Sequence, residues 1–317
     1  MTVAAEATAH RSRRRPPRAR RLAHASVPYL LIVPVVVVIT AILGYPLYKL
    51  VTLSFQQYGL AELIQKKGVW IGLDNYSSVL HDEIFWRVLL RTVIFTGANV
   101  ALTMGLGTLI AFLLVRVSTV VRVLLTAGLV LVWSMPAVVA VQVWYWMTNF
   151  QNGILNHVLT DLHVGDYTQH DWYSTTFWQL TMVTLLIVWG AIPFVTITVY
   201  AGLAQVPREL VEAAEIDGAG PIRVFRDVTF PVLRPILLIL TSLSIIWDFG
   251  VFAQPYLLIG KEHLDSSNYV MGVYVFIEGY LKNDYGRGAA ISLLMLLMVA
   301  AMSVFYVRRM VKMGDAR

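Results

Sequence analysis

Six apolar stretches dominate the chain, and each is long enough to form a helix that crosses a membrane. A helix of about 20 residues spans the hydrocarbon layer of a bilayer. The stretches lie near residues 28–54, 89–115, 122–147, 177–203, 232–258 and 288–307. The pattern therefore predicts an all-α integral membrane protein with six transmembrane helices.

Composition supports this fold class and excludes several others. Hydrophobic residues make up 57% of the chain and charged residues only 14%, whereas a soluble domain carries about 25% charged residues. The chain has no cysteine, which excludes disulfides and thiolate chemistry. Its net charge of +6 comes from basic residues that cluster beside apolar stretches. This distribution is typical of membrane orientation signals, so we expect contacts with membrane lipid and none with nucleic acid.

The first 24 residues differ from the rest of the chain. Seven arginines lie between Arg11 and Arg21, and the apolar stretch after them is much longer than the core of a cleaved signal peptide, about 7–15 residues. We expect a disordered, basic cytoplasmic tail at residues 1–24 and one transmembrane domain at residues 25–317. Lys and Arg are more than twice as frequent on the side of the two termini as on the other side. Both termini are therefore expected in the cytoplasm.

The loop between the fourth and fifth apolar stretches, residues 204–230, carries helix signals of its own. Pro207 suits the start of a helix. We predict a short helix at residues 208–217, ended by Gly218, and a second short helix from Pro221 through Phe230. The resulting hairpin either packs on the ends of its own spans or presents a docking surface.

The same loop resembles the EAA loop of bacterial ABC importer permeases. The family pattern is Glu-Ala-Ala, three residues, Gly, nine residues, and then Ile-x-Leu-Pro. This chain has Val228 and Phe230 in place of the usual Ile and Leu, and both replacements are apolar. The other positions of the pattern are filled by Glu212, Ala213, Ala214, Gly218 and Pro231.

The resemblance extends over residues 28–310. The segment from Gly72 to Tyr76 is similar to the first outer loop of maltose- and glycerophosphate-type permeases, and Asp217 to Ala219 resembles the sugar-importing subgroup. The residues around the first, fourth and fifth spans are most similar to trehalose permeases of actinobacterial, lipoprotein-dependent importers. The resemblance thus implies the permease fold of sugar-importing ABC systems.

This resemblance implies that the chain works with partner subunits and that one of these partners, not this chain, hydrolyses ATP. We expect a second homologous permease subunit, two ATPase subunits and an extracytoplasmic sugar-binding protein or lipoprotein, all at a bacterial cell membrane. ATP and Mg²⁺ are expected on the ATPase, because this chain has no Gly-rich phosphate-binding loop. The chain itself is expected to be no enzyme and to hold no cofactor or metal. The residues implied to couple it to the ATPase are Glu212, Ala213, Ala214, Asp217 and Gly218.

Asp248 is the carboxylate that lies well inside a predicted span, where a charge is costly unless it faces water, a substrate or a partner. Ser244 lies one turn away on the same helix face. The resemblance places both at sugar-contacting positions, and places Gly190 and Ala191 where a sugar approaches the backbone. Nearby aromatic rings suit the apolar faces of a pyranose. The predicted substrate residues are Gly190, Ala191, Ser244, Trp247, Asp248 and Phe252.

Several alternatives stay open at this point. Asp248 also suits a structural hydrogen bond, and Trp247 and Phe252 also suit ordinary packing. The expected function is ATP-driven import of a sugar, with trehalose as the specific expectation and glycerophosphodiesters or other oligosaccharides as alternatives. A proton-coupled secondary transporter that uses Asp248, or a membrane scaffold without transport, would belong to a different class. The His- and Asp-rich loop at residues 148–176 has no closed zinc-site spacing.

Overall fold

The computed structural model describes residues 31–314, and it is almost entirely helical. The predicted tail at residues 1–24 lies outside this range, so the tail and the domain boundary after it stay predictions. The described residues divide into two units, one that ends at Thr52 and one that begins at Leu53. The elements described below belong to the second unit, except for most of the first helix.

Five helices in the described range are long and apolar enough to cross a membrane, and counting one bent pair of helices as a single span gives six. The long helices are α1 (Leu31–Ser54), α4 (Glu83–Arg116), α8 (Thr176–Leu203), α10 (Pro221–Phe249) and α13 (Tyr285–Gly314); the bent pair is α5 (Thr119–Trp133) and α6 (Ala137–Met147). The predicted all-α fold is therefore confirmed.

Shorter elements connect the spans. They are β1 (Gln56–Gln57), α2 (Leu60–Gln65), β2 (Val69–Trp70), α3 (Asp74–Leu80), α7 (Ile154–Asp161), α9 (Arg208–Ile216), α11 (Ala253–Ile259) and α12 (Met271–Leu281). The two strands pair antiparallel, with Gln56 opposite Trp70.

The third predicted span is not one straight helix, which corrects the stretch predicted at 122–147. α5 ends at Trp133, and α6 leaves at an angle of 102°. Pro136 lies at the bend and has no backbone N–H to continue the helical ladder. A residue before proline also avoids helical backbone angles. Hydropathy alone does not register such a bend, because both arms are apolar.

The fifth predicted span is shifted toward the hairpin, which corrects the stretch predicted at 232–258. The second hairpin helix, predicted to end at Phe230, continues without a break as α10 to Phe249. A π turn at Phe225–Thr229 lies just before Pro231, whose ring would clash with the carbonyl four residues earlier in a regular α-helix. Residues 253–258 of the predicted stretch belong to the separate helix α11.

The seam between α4 and α8 forms the most extensive helix contact of the bundle. Gly107 of α4 lies directly against Val195, because a Cβ at Gly107 would come within 2.7 Å of that side chain. Thr196 Oγ1 donates a hydrogen bond to the Gly107 carbonyl oxygen at 3.1 Å. A small residue at a membrane-helix contact allows such close approach of two backbones.

α10 packs on this seam near the end where α4 and α8 finish, which we call the hairpin end. Buried Leu233 and Leu240 of α10 belong to one apolar cluster with Ala111 of α4 and Val195 and Val199 of α8. α4, α8 and α10 therefore form a three-helix core. The bent pair α5 and α6 adds to it through contacts of both helices with α8.

At the opposite end, which we call the loop end, an ion-pair network ties α12 and the start of α13 to Asp82, which caps α4. Arg287 lies 2.5 Å from Asp82 and 3.2 Å from Glu278. Lys282 lies 2.7 Å from Glu278, which is buried. Buried charges are tolerated when they are paired in this way. The network therefore holds α12 and the start of α13 against the start of α4.

The α4–α8 seam leads to a stability prediction. Gly107→Ala should destabilise the protein by about 1–3 kcal/mol, because the new methyl group overpacks the contact with Val195. Gly105→Ala on the same helix is the matched control, since a Cβ there meets nothing within 4 Å. Thermal unfolding in detergent measures both. Equal midpoints for the two variants would contradict the close contact at Gly107.

Candidate functional site

The predicted hairpin is present at the hairpin end of the bundle. Pro207 is the N-cap residue of α9, which ends at Ile216, one residue before the predicted end. Gly218 then adopts a φ of +77°, a left-handed angle that only glycine adopts readily. Open space surrounds Gly218, so the backbone angle and not crowding requires the glycine. Pro221 opens α10 directly afterwards.

The hairpin presents both charged and apolar side chains on its outside. Glu212, Ala213 and Asp217 are exposed, whereas Ala214 is partly buried. Ile216 and Ile222 flank the turn and are 86% and 84% exposed. Large apolar side chains that project this far are typical of a surface that binds another protein. Of the two interpretations of the hairpin, packing only on its own spans does not account for these two isoleucines.

A cavity of about 630 Å³ lies between the hairpin and the ends of the core helices. We call it the hairpin cavity. Four charged side chains line it, namely Arg122, Arg208, Glu212 and Glu215. Arg122 is fixed in place, since its guanidinium donates to the carbonyl oxygens of Leu114 and Val117 at the end of α4. The carboxylates of Glu212 and Glu215 form no ion pair with any described residue and thus remain available.

A second cavity, of about 290 Å³, lies where the α5–α6 bend, α8 and the end of α10 meet. We call it the aspartate cavity. It brings together four of the six predicted substrate residues, Gly190, Ala191, Trp247 and Asp248. A Cβ added to Gly190 would meet no atom within 4 Å. Gly190 therefore offers open backbone surface toward a ligand.

Asp248 lies in an unfavourable electrostatic position. It is 7% exposed, and its carboxylate has no hydrogen bond or ion pair with the described residues. It also lies in the last turn of α10, where the helix dipole is negative and disfavours another negative charge. A carboxylate here requires hydrogen-bond donors that the described residues do not supply.

The other two predicted substrate residues are placed differently. Ser244 is buried on the same face of α10 as Asp248 but does not line the aspartate cavity. The prediction that Phe252 extends this face is wrong, because α10 ends at Phe249. Phe252 instead packs against Tyr256 and Phe276, with ring centroids 5.0 and 4.7 Å away. This placement fits the alternative of ordinary packing.

The sequence analysis missed several aromatic residues of the aspartate cavity. Phe194 lies 5.9 Å from Trp133 and 5.5 Å from Trp247, measured between ring centroids, so the three rings form a ladder along the cavity. Trp189 also lines this cavity. The sequence contained a sign that these residues lie near the predicted substrate residues, because Phe194 follows Gly190 by one helical turn and Trp133 precedes Pro136. It was hidden by the abundance of aromatic residues throughout the chain.

Comparisons with known proteins agree with this architecture. A family model described as "Binding-protein-dependent transport system inner membrane component" matches residues 103–311. The chain is 43% identical over 298 residues to the diacetylchitobiose uptake system permease protein DasB of Streptomyces coelicolor, covering 94% of this chain and 90% of that protein. It is 27% identical over 288 residues to the trehalose transport system permease protein SugA of Mycobacterium tuberculosis, covering 91% and 90%.

The fold also matches a solved structure. A chain of a bacterial ABC transporter involved in the import of the acidic polysaccharide alginate superimposes with a TM-score of 0.78, at 17% identity, covering 93% of this chain and 99% of that one. At this identity the likeness concerns the fold alone. The family match and the relative with 43% identity confirm the resemblance found in the hairpin loop. The chain therefore belongs to the family of inner membrane components of binding-protein-dependent transport systems, as a multi-pass permease subunit of the ABC importer type and not as an enzyme.

Proposed function

We propose that the chain forms the membrane pathway of an ATP-driven sugar importer and converts movement of its hairpin into a change at Asp248. The observation that carries this proposal is the continuity of α10, which runs unbroken from the hairpin turn at Pro221 to the aspartate cavity. With a rise of 1.5 Å per residue, this helix links the two sites over roughly 40 Å. A helix of this length transmits displacement, whereas a flexible loop would absorb it.

The proposed assembly contains a second homologous permease, two ATPase subunits and an extracytoplasmic sugar-binding protein. Membership in a binding-protein-dependent family supports this arrangement. ATP and Mg²⁺ belong to the ATPase subunits, which grip the hairpin through Glu212 and the exposed isoleucines Ile216 and Ile222. The excess of Lys and Arg on the side of the termini supports a cytoplasmic hairpin end, with both termini on that side.

The lining of the aspartate cavity supports a sugar as the substrate. The Asp248 carboxylate accepts hydrogen bonds, and sugar hydroxyls donate them. The open backbone at Gly190 allows a sugar to approach closely. The rings of Trp133, Phe194 and Trp247 offer flat apolar faces on which a sugar ring can pack. Trp247 is half-exposed, so the second permease subunit would close the open side of the cavity. Among the sequence predictions, Gly190, Ala191, Trp247 and Asp248 are the proposed contacts.

Within the sugars, a disaccharide is the proposed substrate. The relative with 43% identity is named for diacetylchitobiose uptake and the one with 27% for trehalose transport. We therefore propose a diacetylchitobiose-type disaccharide first and keep trehalose, the expectation from the sequence, as the second candidate. Family membership favours ATP-driven import over a proton-coupled use of Asp248 and over a scaffold.

The experiment that tests this proposal is co-purification with the neighbouring gene products, followed by an ATPase assay. Binding protein loaded with N,N′-diacetylchitobiose should stimulate hydrolysis more than binding protein loaded with trehalose, and maltose serves as a control. Stronger stimulation by trehalose would reverse the order of the two candidates. A complex without ATPase, or one that no sugar stimulates, would overturn the proposed function.

Glu212 tests the coupling. Glu212→Ala should lower ATP-driven sugar uptake about tenfold or more, because a charged hydrogen bond to the ATPase is lost, while the basal ATPase activity of the complex persists. Glu209→Ala is the matched control, since Glu209 is an exposed carboxylate in the first turn of the same helix. Uptake in proteoliposomes measures both variants. Normal uptake with Glu212→Ala would remove Glu212 from the coupling surface.

Asp248 tests the substrate site. Asp248→Ala should raise the KM for sugar about tenfold, because the hydroxyl acceptor is lost, and should leave assembly of the complex unchanged. Size-exclusion chromatography checks assembly, and uptake kinetics give the KM. Loss of assembly with normal KM in the remaining complex would assign Asp248 a structural role instead.

A further inference from the structure

Three polar side chains on one face of α4 are buried without a hydrogen-bond partner among residues 31–314. They are Thr96, Asn99 and Thr103, spaced by three and four residues along the helix. Asn99 is completely buried, and both the oxygen and the nitrogen of its amide lack a partner. In an apolar interior, an amide without partners costs several kcal/mol. This part of α4 therefore carries hydrogen-bonding capacity that the described conformation does not use.

Other polar groups along α4 do find partners. Thr92, one turn before Thr96, donates to the Val88 carbonyl oxygen and accepts from the backbone N–H of Met271. Thr196 of α8 donates to Gly107. The packing of α4 thus satisfies polar groups at either side of Asn99, and the unsatisfied stretch is local.

The register of the helices places Asn99 at the same depth as Asp248, where depth means the position along the axis of the helix bundle. α4 and α8 both end at the hairpin cavity, so they run in the same direction, and Thr196 bonds Gly107. Asn99 lies eight residues before Gly107 on α4, and residue 188 lies eight residues before Thr196 on α8. Asn99 and residue 188 are therefore at the same level of the bundle. Residue 187, the neighbour of residue 188, lines the aspartate cavity together with Asp248.

The contact of α4 with α10 gives the same depth. α10 begins at the hairpin end and runs opposite to α4, and Met104 and Thr241 line one groove between the two helices. Asn99 lies five residues from Met104 toward the loop end. Residue 246 lies five residues from Thr241 in the same direction, and Trp247 and Asp248 follow it. Thr103 then lies one turn from Asn99 toward the hairpin end, just as Ser244 lies one turn from Asp248.

The unsatisfied groups are chemically complementary. The Asp248 carboxylate accepts hydrogen bonds and lacks donors, and the Asn99 amide nitrogen donates and lacks an acceptor. Both side chains are buried. No hydrogen bond joins them in this structure. α10, however, is the helix that the hairpin is proposed to move, and such a movement would change the separation between Asn99 and Asp248.

We propose that Asn99 is a positioning residue for Asp248, which donates a hydrogen bond to the carboxylate, directly or through one water, when the sugar is bound. Thr103 supports Ser244 in the same way. α4 then forms a second layer behind the sugar site, although it does not line the aspartate cavity. This inference rests on the proposed sugar import and adds a residue that fixes the orientation of its main acceptor.

A double-mutant cycle in the complete importer tests the inference. Asn99→Leu keeps the approximate shape of the side chain and removes its donor, and Asp248→Asn removes the charged acceptor. Each single variant should raise the KM for the sugar about tenfold in proteoliposomes, and the double variant should show no further increase, because the two residues act as one unit. Independent, multiplied effects on KM, or an unchanged KM with Asn99→Leu, would overturn the inference.

Stability separates positioning from a structural role. Asn99→Leu should leave the thermal midpoint of the complex equal to the wild type or higher, because it removes an unsatisfied buried amide. Thr196→Val is the matched control on the same seam, since it breaks an existing bond; it should lower the midpoint without changing the KM. A lower midpoint with Asn99→Leu would overturn the inference even without transport data.

A failure of the proposed function is recognisable separately. It appears in the wild-type complex as ATPase activity that no loaded binding protein stimulates. A failure of the Asn99 inference appears instead with a sugar-stimulated wild-type complex and an Asn99→Leu variant of normal KM.

Discussion

The course of α10 is the constraint on which the rest of this molecule depends. In an apolar interior, a backbone must satisfy its own hydrogen bonds, so a helix ends there only where other polar partners are available. α10 starts at the hairpin and ends at Phe249, beside a cavity that Gly190, near the middle of α8, also lines. Its last carbonyl groups and Asp248 therefore lie together inside the bundle. The polar site exists because the helix stops at this point.

The α4–α8 seam provides the fixed frame for this helix. The Gly107 contact with Val195 and the bond from Thr196 bring two long helices to close backbone contact. At the loop end, Asp82, Glu278 and Arg287 tie the start of α4 to α12 and α13. These contacts are distributed over both ends of α4. A displacement at the hairpin is consequently expected to move α10 relative to a frame that stays in place.

The sequence allowed prediction of the features that follow from local chemistry. Long apolar stretches predicted where the spans lie, and Pro207 and Gly218 predicted the first hairpin helix to within one residue of its end. Asp248 was found because a charge in an apolar stretch is conspicuous. The breaks at Pro136 and Phe249 were missed, because hydropathy averages over a window and both sides of each break are apolar. Asn99 was missed for a related reason, since an uncharged amide in an apolar stretch becomes noticeable only when its lack of partners is known.

The electrostatics of the aspartate cavity narrow the chemistry of the proposed substrate. Asp248 is buried at the negative end of α10, and none of the residues that line its cavity carries a positive charge. An anionic ligand would find no positive charge among these lining residues to balance its own charge. Neutral ligands rich in hydroxyl groups supply donors to the carboxylate without that penalty. The lining therefore fits the neutral sugars proposed as substrates better than it fits an anionic ligand such as a glycerophosphodiester.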